Sequence, residues 1–589
     1  NPPRNGEGDH AKHGGGAGAE FGETPPSVLR TATSPSRGGS EREDLTHIPI
    51  VAIDPADARD HDDAVWAAED DDPANAGGWK AIVAIADVSF YVRPGSALDK
   101  EARKRGNSVY FPDRVVPMLP ETLSADVCSL KEGEDRAALV CHLQISKDGQ
   151  LKSWRFTRAR VRIAANIAYE DAQAAIDALL PATQKPFASS EVEKRVSTSL
   201  DTNGGGMIEV YSSPCSMPDL EVGDSPVPQA LVKSTLVPLW ACWNALYKAR
   251  EKRAPLDLDL PERRVMLDEK GRIMSVAPRE RLDAHKLIED YMIAANVAAA
   301  KALEAKKAPV MYRDHEPPSR EKLVALKDYL KTFEIEFALG QVVRPQTFNH
   351  ILGRIGEADF KPQVMEQVLR TQTQAYYSPD NKGHFGLALG SYAHFTSPIR
   401  RYADLIVHRA LTRAYRLGEG GLTDHEAEAM EVTGELISQH ERRAMEAERE
   451  TIDRYVAAYL ADHVGEIVDC RITGVQPFGF FATVEGLGGD GLVPVSTLGT
   501  DYFRYDEARQ VLAGDETGEE YTLGQRLKLR LAEADPVSGA LRFELPEGGS
   551  YSPVRRALRR DRGAAGKPAR RMQGKRGRPG NIRHQGRKR

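Results

Sequence analysis

Five carboxylates lie within ten residues in the segment from Asp54 to Asp63 (DPADARDHDD). Carboxylates at this spacing repel one another unless cations neutralise them. Their hard oxygen ligands favour Mg²⁺, Mn²⁺ or Ca²⁺ over zinc. A calcium loop is excluded because the segment has no glycine at its sixth position and no closing glutamate. Mg²⁺ that shares its shell with a substrate phosphate fits better, and two such ions can clamp both oxygens of an in-line phosphodiester displacement.

The alternative interpretation of this cluster is a solvated acidic turn, which is the usual role of a run of charges. The apolar run IPIVAID ends at Asp54 and predicts a buried strand directly before the carboxylates. Carboxylates at the exit of a buried strand favour a metal site over a solvated turn.

A second group of residues suited to chemistry lies in the segment GHFGLALGSYAHFTSPIRRY, which ends at Tyr402. Pro398 predicts the start of a helix, with Ser397 as its cap. Arg400 and Arg401 then lie in the opening turn. Helix N-terminal amides together with guanidinium groups form a phosphate site. The alternative is a pair of surface arginines, which is the commoner role of such a pair taken alone.

The charge of the chain is divided between two parts. The 589 residues carry a net charge of −6, but the last 39, from Tyr551 to Arg589, hold 15 Lys/Arg and one acidic residue. The tail is therefore +14 and the preceding 550 residues are −20. Such asymmetry indicates nucleic acid as a partner. Five cysteines without a CxxC pair argue against a disulfide framework or zinc ribbon and favour a cytoplasmic location. No apolar run is long enough to span a membrane.

Composition and periodicity divide the chain into four parts. Residues 1–44 are rich in Gly, Pro, Ser and charge, which predicts a disordered linker. Residues 45–462 begin with strands and continue, from about residue 229, with long helices, which predicts an α+β domain. The stretch from about 183 to 228 is polar and is expected to be a surface excursion. In residues 463–546 apolar and polar residues alternate, and glycines separate the alternating stretches, which predicts a small β-barrel. Residues 547–589 form a basic, low-complexity tail.

The chain resembles the RNase II/RNB exoribonuclease family, and most closely its ribonuclease R branch, from about Arg42 to Leu545. The matching segments are IDPADARDHDDAV, GNSVYFPDRVVPMLPETLSADVCSL, PLDLDLPE, HKLIEDYMIAAN, GHFGLALGSYAHFTSPIRRYADLIVHRAL and the C-terminal barrel with its DYFRYD insertion. These motifs are long and occur in the family's order. The resemblance implies a mixed catalytic sheet surrounded by helices (the RNB domain), followed by an S1 domain with an OB-type fold.

The resemblance also assigns roles to single residues. Asp62 would organise metal and water, Arg400 would stabilise charge on the scissile phosphate, and Glu448 would be a late-helix catalytic glutamate, with Glu446 as the alternative. The metal ligands would be Asp54, Asp60, Asp62 and Asp63, holding two Mg²⁺ ions that Mn²⁺ can replace. The expected RNA contacts, headed by Tyr110 as the ring that stacks on the terminal base, are Tyr110, Glu289, Asn296, Arg401, Tyr402, Phe478 and Phe481.

The chain departs from the family at two places. Pro494 stands where many S1 domains carry a histidine that contacts RNA, which puts the strength of this module in doubt. Ribonuclease R relatives carry two cold-shock barrels before the catalytic domain, whereas only about 44 residues precede it here. The segment EFGETPPSVLR resembles a remnant of the connector, and the cold-shock domains are expected to be missing. Either the chain is a truncated form or this segment is altered, and the entrance of the RNA channel would then be more open.

The function implied by the resemblance is processive hydrolysis of RNA from its 3′ end to nucleoside 5′-monophosphates, in the turnover of structured RNA, rRNA and mRNA. The expected substrates are single-stranded RNA and RNA with a 3′ overhang. A monomer with contacts to ribosomes or RNA-degradation machinery, and no membrane partner, is expected. The alternative is an RNA-binding assembly factor that works through the S1 barrel and the basic tail, with an inert catalytic domain. The four retained aspartates and Arg400 favour the enzyme.

The basic tail predicts an electrostatic contribution to RNA binding. Deleting residues 551–589 should weaken binding of single-stranded RNA most at low salt, because Lys and Arg release counterions from phosphates. The measurement is the dissociation constant at a series of salt concentrations for the full chain and the shortened chain. An unchanged slope of affinity against salt would contradict this role of the tail.

Overall fold

The computed structural model describes residues 42–179 and 227–546, except 259–262, 269–272, 279–280, 341, 357, 359 and 508. The predicted linker as far as residue 41, nearly all of the excursion at 183–228, including the loop near residues 203–207, and the basic tail lie outside the described residues. The predictions made for those segments stay untested.

The N-terminal part is built on a six-stranded mixed sheet of order β1-β8-β2-β3-β4-β7, in which β8 also pairs with β7. Because β8 is 18 residues long, its first part pairs with β7 and its last part with β2, which closes the sheet into a ring. The strands are β1 (Glu43–Asp44), β2 (Ile50–Asp54), β3 (Asp63–Glu69), β4 (Trp79–Ala86), β7 (Asp135–Ile145) and β8 (Leu151–Ala168). The hairpin β5 (Val109–Tyr110) and β6 (Val115–Val116) is separate.

Helices surround this sheet and follow it in the chain. They are α1 (Val88–Tyr91), α2 (Ala97–Arg105), α3 (Tyr169–Asp177), α4 (Gln229–Leu231), α5 (Val237–Arg253), α6 (Asp283–Ala305), α7 (Arg320–Lys331), α8 (Pro345–Ile355), α9 (Lys361–Thr371), α10 (Tyr402–Ala414), α11 (Asp424–Glu428) and α12 (Met430–Ala461). Two π-helical turns span Leu123–Val127 and Val232–Leu236, and two 3₁₀ turns span Pro73–Asn75 and Val495–Thr497. Among the described residues, none of the helices is sufficiently long and apolar to cross a membrane.

The main hydrophobic core lies between the sheet and the helices packed on it. The apolar runs of β2 and β4 are buried almost throughout, as the sequence predicted. Helix α6 contributes 14 buried residues, most of them in its largely apolar part from Tyr291 onward, which suits a helix inside a core. A second core joins α7, α8 and α9. Two short ladders accompany these helices: β9 (Arg263–Leu267) with β10 (Ile273–Pro278), and β11 (Tyr312–Asp314) with β12 (Tyr376–Ser378).

The C-terminal part is a closed five-stranded barrel of order β13-β14-β15-β20-β19 with its own core. Its strands are β13 (Ile467–Gln476), β14 (Gly479–Val484), β15 (Asp490–Pro494), β19 (Arg526–Asp535) and β20 (Ala540–Glu544). The DYFRYD insertion forms a three-stranded sheet of β16 (Phe503–Asp506), β17 (Val511–Gly514) and β18 (Glu520–Thr522). The predicted architecture, a mixed sheet surrounded by helices and followed by a β-barrel, is confirmed.

Candidate active site

The predicted carboxylates lie on the connection between two neighbouring strands. Asp54 is the last residue of β2 and Asp63 the first residue of β3, so the loop that holds the others is short and anchored at both ends. Ser129 supports the loop from outside, since its Oγ accepts a hydrogen bond from the His61 N–H at 3.0 Å and donates one to the Arg59 carbonyl at 3.1 Å. The buried strands β2 and β3 therefore fix the carboxylates at the end of the sheet where these two strands are connected.

The Asp62 carboxylate is the most constrained of the group. Its residue is only 4% exposed. Oδ1 accepts a hydrogen bond from the Ile399 N–H at 2.9 Å, while Oδ2 is buried without a hydrogen-bond partner, with Arg400 Nε 3.8 Å away. Burial raises the pKa of Asp62 well above its usual value, against the opposing effects of Arg400 and the Ile399 N–H. One oxygen of Asp62 thus accepts a hydrogen bond and the other has only the ion pair with Arg400.

The neighbouring carboxylates add electrostatic repulsion to the cost of burial. Burial, and next the charge of Asp54, raise the pKa of Asp63 to about 7. Asp54 Oδ2 lies 2.6 Å from His61 Nδ1, which is the only ion pair of the described structure that Asp54 makes. A cation between these groups would remove both the repulsion and the unpaired oxygen.

The described residues contain no group of three or more His, Cys, Asp or Glu side chains arranged to hold a metal ion. The orphaned Asp62 Oδ2 and the repulsion between Asp54 and Asp63 nevertheless fit a hard divalent cation. Mg²⁺ is commonly bound by one or two carboxylates, with substrate phosphate and water completing its shell. The donor set therefore fits an ion that is bound jointly with a phosphate rather than by the protein alone.

Two chain segments that are distant in sequence form a common frame beside the carboxylates. Asn107 and Arg401 form an antiparallel bridge, in which the Ser108 N–H donates to the Arg400 carbonyl at 2.9 Å. The Tyr402 N–H donates to the Gly106 carbonyl, also at 2.9 Å. Gly106 has φ +78°, and a Cβ there would come within 2.8 Å of the His440 side chain, so only glycine fits.

Tyr110 is held by carboxylates from two other elements. Its N–H donates to Glu448 Oε1 at 2.8 Å, and its hydroxyl donates to Asp60 Oδ2 at 3.1 Å. Burial, and next the charge of Asp60, raise the pKa of Tyr110, which keeps this hydroxyl protonated as a donor. The residue is still 41% exposed, so its ring is available to a ligand.

The structure distinguishes Glu448 from Glu446, the two candidates for the catalytic glutamate. Glu448 contacts Tyr110 and lines the cavity described below, whereas Glu446 is exposed and does not line it. The two residues are two positions apart on α12, and positions two apart on a helix face different directions. This placement favours Glu448 for the catalytic role, which itself stays a prediction.

Arg400 and Arg401 lie before the helix rather than inside it. The prediction that the helix starts at Pro398 with Ser397 as its cap is wrong: α10 begins at Tyr402 and Arg401 is its N-cap residue. The Ser397 N–H and Ile399 N–H donate to buried aspartates, Asp404 and Asp62, instead of entering a helix. Residues 397–401 therefore form a turn, the arginine turn, in which the Arg401 guanidinium pairs with Asp404 and that of Arg400 is half-exposed.

These elements enclose a cavity of about 250 Å³. It joins the Tyr110 hairpin, the arginine turn and one face of α12 next to the carboxylate loop. Its lining residues are Gly106, Asn107, Ser108, Tyr110, Tyr377, Arg400, Arg401, Ala403, Ile437, Glu441 and Glu448. Aromatic, cationic and acidic groups in one cavity suit a ligand that carries both a base and a phosphate.

Comparisons with known proteins identify this arrangement. Residues 42–416 match the model of the RNB domain, and residues 462–545 match the S1 RNA binding domain. The chain belongs to the RNB family. Ribonuclease R of Vibrio cholerae is 37% identical over 526 residues, which cover 88% of this chain and 58% of that protein. Ribonuclease R of Thermotoga maritima is 35% identical over 538 residues, covering 90% and 69%.

A solved structure gives the same result for the fold. The chain is similar to Mycoplasma genitalium RNase R in complex with ribose-methylated single-stranded RNA, with a TM-score of 0.72, 26% identity, and coverage of 86% of this chain and 72% of that one. The RNB family and its ribonuclease R branch, predicted from the motifs, are thereby confirmed. The chain spans less than two thirds of the length of the Vibrio cholerae relative.

Three other predicted RNA contacts of the RNB domain do not line the cavity. Glu289 pairs with Arg281 and lies 3.5 Å from Arg250. Asn296 is buried, where its Nδ2 donates to the Tyr392 hydroxyl at 3.0 Å and its Oδ1 accepts from the Phe395 N–H at 2.7 Å. Tyr402 is 2% exposed and donates its hydroxyl to Asp99. Each has an internal structural role, and contact with RNA stays a prediction for all three.

The S1 barrel exposes the two predicted aromatics on its surface. Phe478 is 53% exposed and Phe481 is 37% exposed, and their ring centroids lie 6.1 Å apart in an edge-to-face arrangement. Phe480, between them, fills the barrel core instead. Pro494 pairs with Gly479 on the adjoining strand, next to this turn. The barrel thus offers a two-ring surface, whose contact with bases stays a prediction.

Several cavity residues of the RNB domain escaped the sequence analysis. Tyr377 lines the cavity with Arg313 stacked 4.6 Å from its ring centroid, and Glu441 pairs with Arg313 at 2.6 Å. Tyr377 Oη lies 2.9 Å from His394 Nδ1. Tyr377 stands in no charged cluster of the sequence, and Glu441 is one of many charges in HERRAMEAERE. Only the position of Glu441 seven residues before Glu448, two helical turns away, could have indicated a shared face.

The geometry of Tyr110 predicts a contribution from its ring rather than its hydroxyl. Tyr110→Leu should weaken binding of single-stranded RNA about tenfold, since stacking on a base contributes about 1–3 kcal/mol. Tyr110→Phe, the matched control, keeps the ring and should bind within about twofold of the unchanged protein. The dissociation constants are measured without divalent metal, so that no cleavage occurs. Equal losses in both variants, or none in the leucine variant, would contradict base stacking.

Proposed function

We propose that this protein is a hydrolytic, processive 3′→5′ exoribonuclease that releases nucleoside 5′-monophosphates. The observation that carries the proposal is a cavity lined by an exposed ring, Tyr110, and a half-exposed guanidinium, Arg400. Beside it lies Asp62, whose Oδ2 has no hydrogen bond and is 3.8 Å from Arg400 Nε. These three groups match the base, the phosphate and the metal that cleavage of a terminal nucleotide requires. The ribonuclease R relatives support the same activity.

The substrate is RNA with a free, single-stranded 3′ end. The cavity suits one nucleotide better than a base pair, because its lining residues surround about 250 Å³. Stacking on Tyr110 is indifferent to the identity of the base, which suits an enzyme that removes every nucleotide in turn. Single-stranded RNA and duplexes with a 3′ overhang are therefore the proposed substrates. The RNA bound by the Mycoplasma genitalium relative supports this choice.

We propose Mg²⁺ as the metal, in two sites that Mn²⁺ can also fill, with ligands from Asp54, Asp60, Asp62 and Asp63. Bound divalent metal supplies an activated water and stabilises the leaving oxygen. The chain's own groups do the rest. Asp62 presents Oδ2 while the Ile399 N–H holds Oδ1. Arg400 stabilises the charge that develops on the scissile phosphate. Glu448 holds the backbone of Tyr110, and so aligns the terminal base with the carboxylates.

The remaining assignments are proposals of the same kind. Residues 45–462 form the catalytic domain and 463–546 the S1 module, whose Phe478 and Phe481 bind RNA outside the catalytic cavity. The protein acts as a cytoplasmic monomer in RNA turnover, where ribosomes or degradation machinery are its proposed contacts. The competing function, an RNA-binding factor with an inert catalytic domain, is favoured by the two exposed rings of the barrel. It leaves the unpaired oxygen of Asp62 unexplained.

The two functions are separated by Asp62→Asn. The variant should release nucleoside monophosphates from 3′-tailed RNA at least 100-fold more slowly, because the amide loses the charge that binds metal, while its affinity for RNA stays close to that of the unchanged protein. The measurement is chromatography of the released nucleotides in the presence of Mg²⁺, beside a binding titration.

The matched control is Asp71→Asn, whose carboxylate is 84% exposed and pairs with Lys80 away from the cavity. This control should retain full activity. Intact single-stranded RNA after incubation with the unchanged protein and Mg²⁺ would overturn the enzyme and favour the binding factor.

A further inference from the structure

Asp404 is a fully buried carboxylate in the first turn of α10, and the sequence analysis gave it no role. Its Oδ1 accepts hydrogen bonds from the Ser397 N–H and from Arg401 Nη2, both at 2.8 Å. Its Oδ2 accepts one from Arg401 Nε, also at 2.8 Å. Three charge-assisted or backbone hydrogen bonds thus converge on one side chain, including a bidentate arginine pair of the strong, directional type.

These bonds fix the arginine turn at its first and last residues. Ser397 is tied to Asp404 through its N–H, and its Oγ in turn accepts a hydrogen bond from Arg400 Nη2 at 3.0 Å. Arg401, at the other end, is held by its guanidinium. Between them the Ile399 N–H is bound by Asp62. The turn therefore lies between two buried aspartates, one of which belongs to the carboxylate loop.

As a result, the guanidinium of Arg401 is paired with Asp404, whereas that of Arg400 stays partly exposed. Burial disfavours the charge of Arg401, but Asp404 outweighs it and the pKa of Arg401 is raised. Its guanidinium is thus neutralised within the protein. Arg400 has no carboxylate closer than Asp62, 3.8 Å from its Nε, and its side chain is 45% exposed. Only Arg400 therefore has its charge available to a phosphate, and Ser397 sets the direction in which it points.

We propose that Asp404 is a positioning residue for the cleavage step, which aims the Arg400 guanidinium at the scissile phosphate through Ser397 and restrains Arg401 from competing for that phosphate. This inference rests on the proposed nuclease function, and specifically on the role of Arg400 in it. Asp404 acts through its neighbours and does not itself line the cavity.

The test is Asp404→Asn in the whole 589-residue chain, with kcat and KM measured on single-stranded RNA in Mg²⁺. An asparagine can still accept from the Ser397 N–H, but its amide group opposes the donors of Arg401. The freed guanidinium then adds an unpaired positive charge beside the cavity. We expect kcat to fall at least tenfold while KM stays the same or decreases. Loss of folded protein would instead lower kcat and leave KM unchanged, so a binding titration without divalent metal is run in parallel.

That titration separates positioning from a merely structural role. With Arg401 released, the affinity for RNA per molecule of protein should rise about two- to fivefold at low salt, and the gain should diminish as salt is added. Asp424→Asn is the matched control, because Asp424 also pairs with an arginine of α10, Arg413, but is 84% exposed. It should leave kcat, KM and the salt dependence unchanged.

Ser397→Ala keeps the proposal falsifiable if Asp404→Asn does not fold. It leaves the Asp404–Arg401 pair intact and removes only the hydroxyl that accepts from Arg400. We expect kcat to fall three- to tenfold with KM unchanged. An unchanged kcat in either folded variant, or a raised KM at unchanged kcat, would overturn the positioning role while the nuclease function stands. If the unchanged protein itself releases no nucleotide, the proposed function fails and the binding titration alone no longer supports the role.

Discussion

The burial of the Asp62 carboxylate is the constraint on which the rest of the site depends. A charge at this depth is unfavourable unless every oxygen is bound. The protein hydrogen-bonds only Oδ1, through the Ile399 N–H, while Arg400 Nε lies 3.8 Å from Oδ2. That single hydrogen bond joins the carboxylate loop to the arginine turn, 337 residues later in the chain. The closed sheet fixes one side of the bond and α10 fixes the other. The remaining oxygen is left for a ligand, and the structure is arranged around it.

Helix α12 connects the cavity beside Asp62 with the C-terminal barrel. It supplies Ile437, Glu441 and Glu448 to the cavity, and its last turns pack Val456 and Leu460 into the core of the barrel. Because a 32-residue helix spans about 48 Å, one rigid element sets the distance between the Tyr110 site and the barrel aromatics. The distance between the cavity and the exposed rings of the barrel is thus a property of the fold rather than of a flexible linker.

Much of the fold could be predicted from the sequence, because apolar runs such as IPIVAID and the helical periodicity of α6 carry local signals that burial reinforces. The carboxylate cluster stands out because its residues are neighbours along the chain, whereas Tyr110 was assigned only through the family resemblance. The start of α10 was misplaced since Pro398 and Ser397 satisfy the usual helix-start pattern, while buried Asp404 and Asp62 capture the turn's N–H groups. The sequence gives no sign that Asp404 has a functional role, because the arrangement of its hydrogen-bond partners is set by the folded structure.

The central claim is that the cavity accepts a free 3′ end and cleaves one nucleotide at a time. Its most direct test is a comparison of a linear RNA with its covalently circular form, in Mg²⁺, by chromatography of the products. We expect the linear RNA to yield nucleoside 5′-monophosphates from the earliest times and the circle to stay intact. Cleavage of the circle, or internal fragments from the linear RNA before any mononucleotide, would contradict it.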